Sequence, residues 1–68
     1  MNIKTLSEEE ARYAGYRRLT RPYRPSQEQM WLKVLIDMSQ GNIDCCLVLK
    51  HTKDGQGGDY KGVTVWRK

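Results

Sequence analysis

Hydrophobic positions are most regularly spaced between residues 26 and 41, where the chain reads SQEQMWLKVLIDMSQG. At about 100° per residue, Trp31, Val34, Leu35 and Met38 fall on one face of a helix. No other stretch is apolar enough to give the rest of the chain a surface to pack on. The pattern therefore predicts a central helix of about four turns, with this face in the core.

The ends of this central helix carry their own signals. Ser26 and Gln29 have the spacing of a capping box, in which the hydroxyl accepts from a backbone N–H and the amide side chain reaches back. Gly41 can adopt the left-handed conformation that ends many helices. We therefore expect the helix to run from Ser26 to Gly41.

Leu32 and Ile36 widen the apolar arc of the central helix beyond half of its circumference. The helix is thus predicted to touch a sheet on one side and either another helix or a second subunit on the other. A chain of 68 residues hides only about 60% of its unfolded surface, so self-association would help it. We expect a homodimer through Leu32 and Ile36; the alternative is that the first helix covers this side alone.

A shorter first helix is predicted upstream. Ser7 and Glu10 repeat the capping-box spacing, and Leu6 can pack onto Ala11 one turn later. Its first turn is acidic, and its predicted last turn is basic through residues 17–18, which suits the helix dipole.

Small residues within this first helix leave two packings open. Ala11, Ala14 and Gly15 cluster on one side, and a helical glycine costs about 1 kcal/mol unless a close neighbour requires it. In one packing this small side lies on the central helix, and Tyr13 and Tyr16 face partly outward. In the other, the tyrosines are buried because aromatic rings carry most of the area worth burying.

The hydrophobic period changes from helical to two after residue 41, which predicts two strands. The first strand has the better core face in Ile43, Cys45, Leu47 and Leu49, and the second has Val63 and Val65 on one face and Tyr60, Thr64 and Trp66 on the other. KDGQGGD between them is turn material, so the strands form a hairpin. Residues 2–6 fit either an extended arm or an edge strand.

These elements predict one α+β domain over residues 1–68. Its order is two helices followed by a two-stranded antiparallel hairpin, with an optional short N-terminal strand. A lone two-stranded ribbon is marginal, so the hairpin must lean on the central helix or gain a third strand.

Charge adds a candidate function. Lys and Arg total 12 against 8 Asp and Glu, a formal net charge of +4. Residues 12–24 hold five arginines and no acid, interleaved with tyrosines. Arginine binds phosphate through a bidentate fork and tyrosine offers a stacking face, which together suit a nucleic-acid backbone or unpaired bases. The same two residue types dominate protein interface hot spots, and a solvated basic face is the plain alternative.

The best prediction is therefore a small, non-enzymatic basic module that binds nucleic acid. The alternative is a small adaptor or inhibitor of the phage or plasmid type, which occupies an acidic or nucleic-acid-binding surface of a larger protein. The candidate binding residues on the helix end and the following loop are Arg12, Tyr16, Arg17, Arg18, Arg21, Tyr23 and Arg24. The hairpin adds Lys50, Lys61, Arg67 and Lys68 if it lies nearby.

Catalytic, cofactor and metal motifs are not recognisable. GQGG lacks the Lys-Ser/Thr of a phosphate-binding loop, and Asp54 and Asp59 lack EF-hand spacing. His51 has no nucleophile that the sequence places near it. Cys45 and Cys46 are adjacent in a strand, where they point to opposite faces, so reduced thiols are expected and a zinc site would have to be shared between subunits.

Hydropathy and the N-terminal sequence predict where the protein is found. The chain has no apolar run long enough for a membrane span. Its start, MNIKTLSEEE, lacks the basic and then apolar pattern of a signal peptide. A cytoplasmic protein with no membrane partner is therefore expected.

Overall fold

A mixed four-stranded sheet lies between two helices in the computed structural model, which describes residues 3–53 and 58–68. The elements in chain order are β1 (Lys4–Leu6), α1 (Glu8–Tyr13), β2 (Arg17–Arg18), a 3-10 turn (Pro25–Gln27), α2 (Glu28–Gln40), β3 (Cys45–Lys53) and β4 (Asp59–Arg67). The strand order is β1-β3-β4-β2. β1 runs parallel to β3, and the other two pairs are antiparallel.

The α+β content is confirmed, but the predicted order of two helices followed by a two-stranded hairpin is wrong. β3 and β4 form the hairpin, yet it is the middle of a larger sheet. β1 pairs with one edge of it, and β2 with the other. The physical reason is that each outer edge of an isolated hairpin presents unpaired backbone groups, which short flanking segments satisfy here.

The start of α1 confirms the predicted capping box. The Glu10 N–H donates to Ser7 Oγ at 3.1 Å, and the Ser7 N–H donates to Glu10 Oε1 at 3.4 Å. The predicted end is wrong, because the helix stops at Tyr13. Gly15 has φ +90°, and the Tyr16 N–H donates to the Ala11 carbonyl at 2.9 Å, the bonding of a Schellman stop.

Neither of the two packings open for the first helix describes α1. Ala11 and Tyr16 are buried together against the sheet, whereas Tyr13 is 97% exposed and Ala14 and Gly15 are also exposed. Because the chain turns at Gly15, the two tyrosines are no longer on one helix. The helix therefore contributes mainly one alanine, and the loop after it contributes the aromatic ring.

α2 is confirmed as the longer helix, although both predicted caps are wrong. A 3-10 turn precedes it, and Gln27 rather than Ser26 caps that turn, its Oε1 accepting from the Arg24 N–H at 3.0 Å. At the other end Gly41 has φ −85°, and Asn42 takes the left-handed conformation with φ 58°. The Ile43 N–H then donates to the Met38 carbonyl at 3.0 Å, which again makes a Schellman stop.

Both faces of the hairpin are buried at its centre. On the α1 face lie Ala11, Tyr16, Cys46, Val48 and Trp66, and on the α2 face lie Leu35, Leu47, Val63 and Val65. The prediction of one core face is therefore wrong for β3, where Cys46 and Val48 are as buried as Leu47, and Leu49 is 45% exposed. Helices on opposite faces of one sheet explain this, because each strand has a covered side in both directions.

The predicted glycine-rich turn and Asp54 fall on residues 53–59, of which 54–57 lie outside the described residues. Within the ranges 3–53 and 58–68, neither helix has the length and apolar character needed to cross a membrane.

Candidate functional site

The segment after β2 follows the edge of β4 with a bulge. Arg18 pairs with Trp66 and Tyr23 pairs with Val63, so five steps on this segment oppose three steps on β4. The two extra residues are accommodated around Thr20, where the Leu19 and Thr20 N–H groups both donate to the Val65 carbonyl. The bulge changes the direction of the chain between β2 and Tyr23.

Gly62 lets this bulged segment approach the α1 face of the sheet. A Cβ built on Gly62 would lie 2.7 Å from Pro22 Cβ and 2.5 Å from Thr52 Oγ1, distances that real Cβ atoms do not show. Gly62 alternates with Val63 on β4 and so faces the same side as Thr64 and the α1 face. Pro22 is thereby held over this face, next to Thr52.

α1 is only six residues long and leaves part of its face of the sheet uncovered. Two adjoining clefts fill that area, and we call them together the basic groove. The first, of about 440 Å³, is lined by Glu8, Arg12, Tyr16, Arg17, Arg18, Lys50 and Trp66. The second, of about 250 Å³, lies toward the hairpin tip and is lined by Glu8, Arg18, Pro22, Val48, Lys50, His51, Thr52, Lys53, Thr64 and Trp66.

Nearly all charged side chains that line the basic groove are positive. Its lining cations are Arg12, Arg17, Arg18, Lys50 and Lys53, and its single carboxylate is Glu8. Glu8 Oε1 accepts from Arg12 Nη2 at 2.9 Å, and Glu8 Oε2 lies 3.8 Å from Lys50 Nζ. Among residues 3–53 and 58–68, no carboxylate forms an ion pair with Arg17 or Arg18. An anionic ligand would therefore meet uncompensated positive charge there.

The floor of the groove is closed and internally satisfied. Trp66 Nε1 donates to Thr64 Oγ1 at 2.8 Å, and Thr64 Oγ1 donates to the Val48 carbonyl at 3.0 Å. All three residues are at most 5% exposed. The floor therefore offers a ligand a surface to pack against and no free hydrogen-bond donor.

Five predicted binding residues line the basic groove: Arg12, Tyr16, Arg17, Arg18 and Lys50. Two more, Arg67 and Lys68, join Arg17 and Arg18 in a cleft of about 490 Å³ at the β2 edge. This juxtaposition arises because β2 pairs with the end of β4, where Arg17 lies opposite Arg67. Like charges opposite each other in a sheet repel, so an anion at this edge would relieve the repulsion.

Tyr16 lines the groove but belongs to the core. It is only 4% exposed, Lys4 Nζ donates to its Oη at 3.5 Å, and Lys68 Nζ lies 5.1 Å from its ring centroid. Burial raises the pKa of this phenol, and the nearby Asp44 acts in the same direction. Tyr16 therefore has no free ring face to offer a base.

Other predicted residues are placed away from the basic groove. Arg21 lies over the ring of Tyr23 at 5.7 Å, and Arg24 lies over the ring of Tyr60 at 4.3 Å. Lys61 alternates with Gly62 and so belongs to the face that carries α2. The five arginines of residues 12–24 thus divide into two groups: Arg12, Arg17 and Arg18 line the groove, whereas Arg21 and Arg24 form cation–π pairs within the protein.

Sequence reasoning did not predict four residues that line or shape the groove: Glu8, Pro22, Lys53 and Gly62. A glycine inside a strand pattern is a signal for close backbone approach, and Gly62 carries that signal. Nothing in the sequence indicates that Pro22 is the neighbour that requires it. No three His, Cys, Asp or Glu side chains in the described segments come together as metal ligands.

No family model matches this chain, and neither a curated protein nor a solved structure shows a reliable similarity to it. Its function has to be inferred from the geometry of the groove.

Proposed function

We propose that the protein is a non-enzymatic, cytoplasmic module that binds the phosphate backbone of nucleic acid in the basic groove. One observation carries the proposal: five cationic side chains line a groove whose single carboxylate is Glu8.

Arg17 and Arg18 are the main candidates for phosphate contacts. Both are exposed on the edge strand β2. Their guanidinium groups offer planar donor pairs that match phosphate oxygens, and a paired strand limits the backbone freedom that binding would otherwise remove. Arg12 and Lys50 share Glu8, so their charge is partly compensated in the free protein.

The test is a titration of the purified protein against fluorescent oligonucleotides of mixed sequence, at low salt and at about 0.15 M salt. Binding should weaken steeply with salt, because phosphate contacts release condensed counterions. The double change Arg17→Gln and Arg18→Gln should weaken all sequences alike and reduce the salt slope by about one unit per lost contact.

A matched control separates a local site from net charge. Lys33→Gln with Lys61→Gln removes the same two charges, and both lysines are exposed on the α2 side of the sheet. This control should keep most of the affinity and the salt slope. No binding by the parent protein at low salt, or equal losses in the two double variants, would overturn the proposal.

A protein ligand is the second candidate, supported by exposed apolar residues beside the same cations. Tyr13 is 97% exposed next to Arg12, and Leu19 is 40% exposed next to Arg18. Aromatic and arginine side chains together are typical hot spots of protein interfaces, so an adaptor or inhibitor would bind an acidic protein surface here. Such a partner would survive nuclease treatment in a pull-down and would be lost with Tyr13→Ala.

The homodimer through Leu32 and Ile36 stays a proposal. Ile36 is 45% exposed, Leu32 is partly buried, and α1 lies on the opposite face of the sheet. The first helix therefore does not cover this side of α2. Sedimentation should show a dimer that Ile36→Lys converts to a monomer; a strict monomer at high concentration contradicts the proposal.

A further inference from the structure

Binding of a phosphate backbone does not require the second cleft of the basic groove. We call it the base cleft: the space of about 250 Å³ between Pro22 and Lys50, above Thr64 and Trp66. It is smaller than the roughly 300–1,000 Å³ of sites for drug-sized ligands, so it suits one flat ring attached to a larger ligand. It shares Glu8, Arg18, Lys50 and Trp66 with the first cleft and is therefore continuous with it.

The walls of the base cleft are set by the sheet itself. Pro22 stands on one side because Gly62 leaves room for it, and Thr52 meets Gly62 from β3. Both Pro22 and Thr52 are partly exposed, so their surfaces are accessible to a ligand. A proline ring beside β-strand side chains gives a flat, weakly polar wall.

The floor has no unused hydrogen-bond donor. The Thr64 hydroxyl donates to the Val48 carbonyl and accepts from the Trp66 indole, so its proton and one lone pair are committed. Contact with the face of a ring is thereby favoured over recognition of its polar edge. Contact through ring faces distinguishes the bases only weakly, because every base has a π-face.

The rim supplies the charges that the neighbouring phosphates need. Arg18 and Lys50 stand where the two clefts join, and Lys53 lies toward the hairpin tip. A chain running along the groove would place phosphates on both sides of the cleft, within reach of these cations. A guanidinium plane can also stack on a base that enters between them.

We infer that the ligand is single-stranded nucleic acid with one unpaired base seated in the base cleft, an inference that rests on the proposed function. A duplex offers the cleft no free base face, because its bases are paired and stacked. Bringing one of them into the cleft would require flipping it out, which costs a few kcal/mol. A single strand presents its bases without that cost.

The experiment compares three DNA probes at one salt concentration: an oligothymidine, an abasic sugar-phosphate strand of equal length, and a duplex of that length. The first two carry the same number of phosphates and differ only in their bases. We expect oligothymidine to bind about fivefold or more tightly than the abasic strand, at the lower end of what stacking contributes per base. The duplex should not exceed the abasic strand per phosphate.

A pair of proline variants locates the effect. Pro22→Ala removes a wall of the cleft and should bring oligothymidine down toward the affinity of the abasic strand, while leaving the abasic strand unchanged. Pro25→Ala, in the exposed 3-10 turn before α2, should change neither affinity. Thermal unfolding of both variants checks that they fold. If Pro22→Ala does not fold, the comparison of the three probes with the parent protein still tests the inference.

The outcomes separate the two proposals. Equal affinity for oligothymidine and the abasic strand, or tighter binding of the duplex, overturns the base-cleft inference and leaves backbone binding in place. If Pro22→Ala and Pro25→Ala lose affinity for oligothymidine equally, the base is not bound beside Pro22. No binding to any probe overturns the proposed function as well.

Discussion

At the scale of single residues, Gly62 shows how one missing side chain shapes the groove. Gly62→Ala should lower the free energy of unfolding by about 1–3 kcal/mol, because the new Cβ would crowd a rigid proline ring 2.7 Å away and a threonine hydroxyl 2.5 Å away. Urea unfolding measures this. Gly41→Ala is the control, since its nearest neighbour, the Met38 carbonyl oxygen, lies 3.6 Å away. Similar losses in both variants would show that space at Gly62 is not the constraint.

Buried thiol and phenol groups predict how stability depends on pH. Burial raises the pKa of the Cys46 thiol above its ordinary 9.0 and that of the Tyr16 phenol above 10.0. The folded state therefore holds these protons more tightly than the unfolded state. Their contribution to stability is complete below about pH 9 and is lost as the pH rises toward the folded-state pKa values.

Urea unfolding over a pH series tests this expectation. The free energy of unfolding should change little between about pH 7 and 8 from these groups and should fall above about pH 9. In Cys46→Ala the fall should be smaller, because one of the titrating groups is gone. Slopes with pH are compared rather than absolute stabilities, since the substitution also leaves a small cavity. Stability that rises above pH 9 would contradict the assignment.

At the scale of elements, α2 stabilises the sheet through one deeply buried side chain. Leu35 is 4% exposed among Leu47, Val63 and Val65, whereas the next residue, Ile36, is 45% exposed. Leu35→Ala should cost about 2–5 kcal/mol through lost contacts and a cavity, and Ile36→Ala about 0.5 kcal/mol. Thermal and urea unfolding at low protein concentration measure both. Equal costs would mean that α2 is rotated on the sheet, or that Ile36 is buried in a dimer.

At the scale of the whole molecule, Glu8 determines how much positive charge the groove offers. Its carboxylate contacts Arg12 at 2.9 Å and lies 3.8 Å from Lys50, where it competes with a ligand phosphate. Glu8→Gln should therefore raise oligonucleotide affinity at low salt by about two- to fivefold, the range expected for releasing exposed ion pairs. The lining of the groove would then contain no carboxylate.

Glu9→Gln is the matched control for this prediction. It removes the same charge from the same helical turn, and Glu9 does not line the groove. Its effect on affinity should be clearly smaller than that of Glu8→Gln. If the two variants gain equally, only the net charge matters and the groove is not the binding site.

The sequence by itself determined the features that depend on neighbouring residues. The Ser7 cap with Glu10, the helical stripe around Leu35 and the alternation of the two long strands were all predicted, because each depends on residues a few positions apart. Arg12, Arg17 and Arg18 were also named as candidate binding residues, because they belong to one short basic segment of the chain.

Tertiary structure decided how these pieces are partnered. Arg17 and Arg18 were expected in a helix and lie in a strand, because they pair with the free edge of β4 at Arg67 and Trp66, which are 50 and 48 positions further along the chain (67 − 17 and 66 − 18). Likewise, only the bulge beside β4 brings Pro22 over Gly62 and opens the base cleft. Edge pairing and close packing depend on which distant segment has unsatisfied backbone groups or room for a ring, and no local periodicity contains that information.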